Sequence, residues 1–176
     1  MGSELRGLDT IIEALPMIRA EVPEVKVRFA GKSYFGTKNN LEDLAESLGV
    51  EEHVEFTGWI DPEEFPKYMK AADIGLVPYR SIPVTNTTVP NKLFQYMAAE
   101  LPVLVTDTDA VGRIVRETNS GVVVPAEDPD AFAEGAIELA DPDRRAELGR
   151  NGRKAVEEEY NWERDAERLL KVYESL

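Results

Sequence analysis

The segment Pro90-Asn91-Lys92-Leu93-Phe94-Gln95 gathers groups suited to holding an anion. Pro90 marks a helix start. The first turn there has unpaired backbone N–H groups and the positive end of the helix dipole. Thr87 and Thr88 bring hydroxyls just ahead of it, and Lys92 adds a point charge. Asn91 and Gln95 are four apart, so they share one helix face. A phosphate at the helix tip, with a hydroxylated ring reaching Gln95, is the chemistry this spacing suits, which is nucleotide binding. Each residue also has a plainer use. Asn91 fits a helix cap as well as a ligand contact, and Lys92 fits a solvated surface charge.

Such groups need a scaffold, and the pattern alternates helix and strand. Leu8, Ile11, Ile12 and Leu15 recur at helical spacing, with Pro16 expected to kink or interrupt the helix. A strand is expected over 25–30, ended by Gly31. A second amphipathic helix carries Leu41, Leu44, Ala45 and Leu48 and closes at Gly49. A strand over 54–57 ends at Gly58. Asp61-Pro62-Glu63-Glu64 reads as a helix start with an Asp cap. Strands at 74–77, 103–106 and 121–124 alternate with helices at 91–99 and 111–117. Helices at 128–140, 142–159 and 162–176 follow. Short strands, apolar on both faces and separated by helices, specify an α/β chain. The expected fold is a Rossmann-like, doubly wound parallel sheet in three layers, covering residues 1–176 as a single domain.

In such sheets ligands sit outside the carboxyl ends of the strands. That rule selects Gly31 and Lys32, then Gly58, Trp59 and Ile60, then Pro78, Tyr79 and Arg80, and then Asp107. Gly31 and Gly58 fit simple strand ends as well, and Trp59 fits a cover for the sheet edge. The irregular stretch 78–89 is long for a compact domain, which favours a functional loop.

Several chemistries are excluded or disfavoured. The chain has no cysteine and one histidine, so disulfides, thiol catalysis and zinc ribbons are out. Neither Gly-x-Gly-x-x-Gly nor a Walker pattern is present, which argues against NAD and P-loop chemistry. His53 reads as a surface residue. Asp107 and Asp109 suit Mg²⁺ or, more commonly, turn and cap duty. No apolar run is long enough to span a membrane. The net charge is -14, from 34 acidic and 20 basic residues, and it repels nucleic acid and anionic lipid. The acidity fits a high-salt cytoplasm or plain solubility; 8 Lys against 12 Arg leans to the former. In so acidic a chain, basic residues at strand ends are informative. Met1-Gly2-Ser3-Glu4 reads as a cloning remnant.

Seven ordered segments together resemble the C-terminal, donor-binding domain of glycosyltransferase family four, the group 1 enzymes of GT-B architecture. Arg6-Gly7-Leu8-Asp9 with Ile11, Ile12 and Ala14 is similar to the family's Lys-Gly-Leu-Asp opening. Phe29-Ala30-Gly31 is similar to its Ala-Gly loop. Val54-Glu55-Phe56-Thr57-Gly58-Trp59-Ile60 is similar to its Val-x-Phe-x-Gly-x-Val segment. Ala71-Ala72-Asp73 opens a similar strand. Pro90-Asn91-Lys92-Leu93-Phe94-Gln95-Tyr96-Met97-Ala98 is similar to a Pro-x-Lys-x-x-Glu-Tyr-Met-Ala variant. Gly121 to Pro125 and the Trp162 helix complete the order.

The resemblance implies transfer of a hexosyl group from a UDP-, GDP- or ADP-sugar to an acceptor hydroxyl in glycan or glycolipid synthesis. Retention at the anomeric carbon, no cofactor, no structural metal and a cytoplasmic location go with it. It implies that Arg6 contacts the diphosphate from the family's Lys position and that Trp59 and Ile60 flank the base. Lys92 and Leu93 then start the phosphate-binding helix, and Gln95 holds the ribose. The family's Glu-x7-Glu pair is absent: Thr87 and Gln95 stand in its places. Catalysis would then be electrostatic, through cations and N–H dipoles rather than a nucleophile. The resemblance also implies an acceptor domain and one more strand ahead of residue 6, with any membrane contact made by that other half. The isolated domain would bind donor weakly and transfer little. Its last helix would present an apolar face open to self-association. Two other readings stay open, a non-catalytic α/β interaction module and a nucleotide-sugar epimerase.

Overall fold

The computed structural model describes residues 6–32 and 36–175. The stretch 1–5, with its reading as a cloning remnant, lies outside the described residues, as does Leu176. Helix α1 (Leu8–Glu21) buries Ile11, Ile12, Leu15 and Ile18, the stripe its spacing dictates. It continues through Pro16 to Glu21 rather than stopping there. The ring removes one backbone donor, and the buried side chains on both sides hold the flanking turns in place.

The elements then run β1 (Val27–Ala30), α2 (Thr37–Ser47), β2 (Val54–Gly58), α3 (Phe65–Lys70), β3 (Gly75–Val77) and α4 (Pro83–Asn86). After these come α5 (Asn91–Ala98), β4 (Val103–Thr106), α6 (Asp109–Thr118), β5 (Gly121–Val124), α7 (Pro129–Glu138), α8 (Pro142–Glu158) and α9 (Trp162–Glu174). All ladders are parallel. Val27 pairs with Val54 and Phe29 with Phe56. In the second group Leu76 pairs with Leu104, and Leu104 with Val122. Among the described residues no ladder joins β1 to β3, so the expected sheet is present as two parallel pieces.

One core unites the two pieces. Val27 of β1 and Leu104 of β4 share a cluster with Ile11, Ile12 and Leu15 of α1, Leu41 of α2 and Phe132 of α7. On the opposite face Val77, Val103 and Val105 pack with Leu93 and Met97 of α5, Val111, Ile114 and Val115 of α6, and Val156 of α8. Alternation along β4 sends Leu104 one way and Val103 and Val105 the other, giving three layers. Helix α1 packs against both α7 and α2, and so lies over the junction between the pieces.

Gly7 seats α1. Its φ is 55°, and a Cβ there would lie 2.1 Å from the Pro78 carbonyl oxygen. Only glycine brings the start of α1 this close to the end of β3. Strand β1 begins shortly after α1 ends.

Two local expectations change. The 78–89 stretch is not wholly irregular: it holds the single turn α4, tied by the buried Thr85 hydroxyl, which donates to the Arg80 carbonyl and accepts from the Ile82 N–H. Asp61 does not cap a helix through its side chain. Its carboxylate accepts the indole N–H of Trp59 at 3.3 Å instead. Helix α9 buries none of its residues, and Trp162, Leu169, Leu170 and Tyr173 are exposed. Among the described residues no helix is long and apolar enough to cross a membrane.

Candidate functional site

Lys92 lies in the first turn of α5 and points back at β3, where its Nζ donates to the Leu76 carbonyl at 3.0 Å. Leu76 is offset from the residues that bond β4: Gly75 N–H already donates to Pro102. The ammonium therefore satisfies an outward carbonyl on the open edge of β3. The Tyr79 ring lies 5.3 Å from it. Burial, and then the like charge of Arg6, lower the Lys92 pKa to about 8. Tyr96, one helical turn on, is itself held above its ordinary range by burial and by Tyr79.

Arg6 is thus the charge that bears on Lys92, and it is a like one. Most arginines in this chain pair with carboxylates, as Arg28 does with Glu55 and Arg116 with Asp107. Among the described residues Arg6, Lys32 and Lys92 pair with none. Two helix starts face this region. Neither α1 nor α5 has a side-chain cap, and the amides of Asn91 and Lys92 meet no acceptor among the described residues. Leu93 differs: its N–H is spent on Pro90 and its side chain is fully buried. Cations, amides without acceptors among the described residues and two positive dipole ends are groups of the kind that suit an anion.

The ends of β1 and β2 form a second cluster. The Gly31 N–H donates to the Gly58 carbonyl at 2.9 Å, closing the ladder, and both glycines have positive φ. Lys32 Nζ lies 5.1 Å from the ring of Trp59, which is 63% exposed. Ile60, the next residue, is buried. This leaves an exposed aromatic face flanked by one cation and by Asp61.

The remaining expected residues are placed as follows. Asn91 and Gln95 lie on the exposed face of α5. Gln95 also lines the groove between α5, α8 and α9, beside the stacked Phe94 and Tyr160. The Thr87 and Thr88 hydroxyls donate to carbonyls of α4, namely Pro83 and Val84 for the first and Val84 for the second. Asp107 is taken by Arg116 at 2.6 Å. His53 Nδ1 meets the Val25 carbonyl at 2.8 Å. Among the described residues no acidic or histidine cluster could hold a metal.

Sequence reasoning missed one feature. Arg80 follows β3, and its guanidinium bridges Asp9 of α1 and Glu127 after β5. Its strand-end position was the available signal.

A family described as glycosyl transferases group 1 matches residues 1–141. This chain is a group 1 glycosyltransferase sequence and belongs to that family. Among similar proteins, spore coat protein SA of Bacillus subtilis is 28% identical over 98% of this chain and 46% of its own length. A GDP-mannose-dependent alpha-(1-6)-phosphatidylinositol monomannoside mannosyltransferase of Mycobacterium tuberculosis is 31% identical over 93% of the chain and 43% of its own. Among solved structures, sucrose-phosphate synthase of Thermosynechococcus elongatus superposes with a TM-score of 0.83 at 26% identity, covering 98% of this chain and 43% of that one. The group 1 chain described here therefore spans about half the length of the curated relatives it matches.

Proposed function

We propose that residues 1–176 form the donor-binding domain of a retaining hexosyltransferase that holds a nucleoside diphosphate sugar. One observation carries this reading. In a chain of net charge -14, Lys92 is buried against β3 and feels the like charge of Arg6, and among the described residues neither cation is in an ion pair; they stand at the starts of α1 and α5, neither of which has a side-chain cap. Two like charges repel unless an anion joins them, and a diphosphate supplies the missing charge. As the bond to the anomeric carbon breaks, negative charge grows on the leaving diphosphate. Arg6, Lys92 and the amides of Asn91 and Lys92 stabilise it there. Trp59 stacks on the base while Ile60 supports it from below. Gln95 accepts from ribose hydroxyls. Gly31, Lys32 and Tyr79 complete the donor site. Thr87 and Thr88 hold α4 against the start of α5. The acceptor hydroxyl is delivered by a second domain, of the size the longer relatives have, and the strand expected ahead of residue 6 belongs with this domain.

Thermal shift against UDP, GDP and ADP tests the reading. GDP is expected to shift the melting temperature most, on the strength of the mannosyltransferase relative, through stabilisation of the folded state by its ligand. Arg6→Ala should lose the shift. A folded sample that responds to none of the three would leave the α/β interaction module as the better reading. Epimerised sugar nucleotide among the products would favour the epimerase.

A further inference from the structure

Two carboxylates are tied to Arg80, which directly follows Tyr79 of the proposed anion site. Asp9 is in the first turn of α1, three residues beyond Arg6. Glu127 is in the loop after β5 and holds a left-handed backbone, φ 58°, a conformation non-glycine residues seldom adopt. Left alone, either acid would compete with a phosphate for Arg6 or repel it directly. Neither is left alone. Arg80 Nη2 bonds Asp9 Oδ2, and Arg80 Nη1 bonds Glu127 Oε1. The guanidinium reaches both because its planar fork presents donors in two fixed directions; a lysine ammonium has no such fork. The Arg80 side chain is 29% exposed, against 38% for Asp9 and 49% for Glu127, so the cation is the most enclosed of the three. Its backbone is fixed as well, because the Arg80 carbonyl accepts from the buried Thr85 hydroxyl.

We propose that Arg80 is a positioning residue for donor binding: it masks Asp9 and Glu127 and so keeps Arg6 and Lys92 free for the diphosphate. This rests on the donor-binding reading above. In this role Arg80 acts on donor binding through Asp9 and Glu127. Sequence reading placed it at a strand end, where its positive charge suggests a ligand contact; its bonds assign it to the protein's own acids instead.

The test is titration calorimetry with GDP on the wild-type chain, Arg80→Ala, Arg80→Lys, the pair Asp9→Asn/Glu127→Gln, and the triple Arg80→Ala/Asp9→Asn/Glu127→Gln. Melting temperatures are recorded for each. Arg80→Ala should weaken GDP by about tenfold at low ionic strength and less at high salt, because the two freed carboxylates are screened. Arg80→Lys should fall in between. The triple variant should recover to within about threefold of wild type, since with no acids there is nothing to mask. A merely structural Arg80 would not be rescued this way. If Arg80→Ala fails to fold, the Asp9→Asn/Glu127→Gln pair decides: affinity equal to or above wild type supports the proposal, and a drop overturns it. Wild-type affinity in Arg80→Ala overturns this proposal alone, as does a folded triple variant as weak as Arg80→Ala. A wild-type chain that binds no nucleoside diphosphate overturns the donor reading and this proposal with it.

Discussion

Around β3, β4 and α5 the molecule is built from the inside. All four residues of β4 are buried, and Lys92 is bonded to β3, faced by Tyr79 and pressed on by Arg6. Around β1, β2 and α3 it is built from the outside. β2 has no fully buried residue, nor has α3, and the aromatic at the strand end stands in solvent. The difference sets the expected division of labour. A desolvated cation on a rigid strand edge acts strongly on phosphate, because the low local dielectric raises its field. An exposed Trp59 beside Lys32 gives a stacking face that tolerates more than one base. Phosphates should carry the affinity, and the base should adjust it.

Five substitutions and a pH titration would break or sharpen that contrast. The largest effect is on folding. Leu104→Ala, at the centre of the β3–β5 piece, should cost about 3 kcal/mol in urea unfolding. Phe56→Ala, half-buried on β2 and stacked on Phe29 at 5.1 Å, should cost about half of that. Equal costs would erase the distinction between the two regions. Next, Lys92→Met should weaken GDP by about 30-fold or more in calorimetry, since a desolvated charge-assisted contact is lost. Trp59→Ala should weaken GDP by about tenfold and leave the melting temperature in place. A larger loss from Trp59 than from Lys92 would reverse the assignment of the two halves.

The smallest effect is a pH dependence with a definite sign. Burial first, and Arg6 second, hold Lys92 near pKa 8 against an ordinary 10.5. Between those values the unfolded chain binds more protons than the folded one, so this group makes stability rise with pH across that window. Donor affinity should move the opposite way and decline as pH rises through 8, because the diphosphate needs the ammonium. Binding above pH 8 should take up a proton, visible as a dependence of the binding heat on buffer ionisation. Lys92→Arg, which stays charged, should abolish that uptake.

Where the sequence was legible, a strong local pattern had no competitor. Strands 103–106 and 121–124 match β4 and β5 to the residue, because short runs rich in β-branched residues, one after Leu-Pro and one opening on Gly, leave little choice. The Leu8–Leu15 stripe located α1, but Pro16 marked no end, since tertiary packing outweighed the missing donor. Asp61 looked like a cap by composition; a neighbouring indole two residues away took its carboxylate. Thr87 and Thr88 have the right position ahead of α5, yet α4 claims their hydroxyl protons, because a four-residue helix leaves carbonyls to satisfy at its end. The strand-end position singled out Arg80, but not the bridge it makes. Its partners lie 71 and 47 residues away in sequence, and no spacing rule encodes a contact made by the fold. The same holds for the division of the sheet into two pieces. Strand patterns show which segments are extended, and pairing is decided by what lies beside them.

The most direct test of the central claim is a comparison of GDP with guanosine by thermal shift, at equal concentration and low salt. The account predicts a clear rise in melting temperature with GDP and almost none with guanosine, because the Arg6–Lys92 edge needs an anion to act on. Equal shifts from the two, or none from GDP in a folded sample, would contradict it.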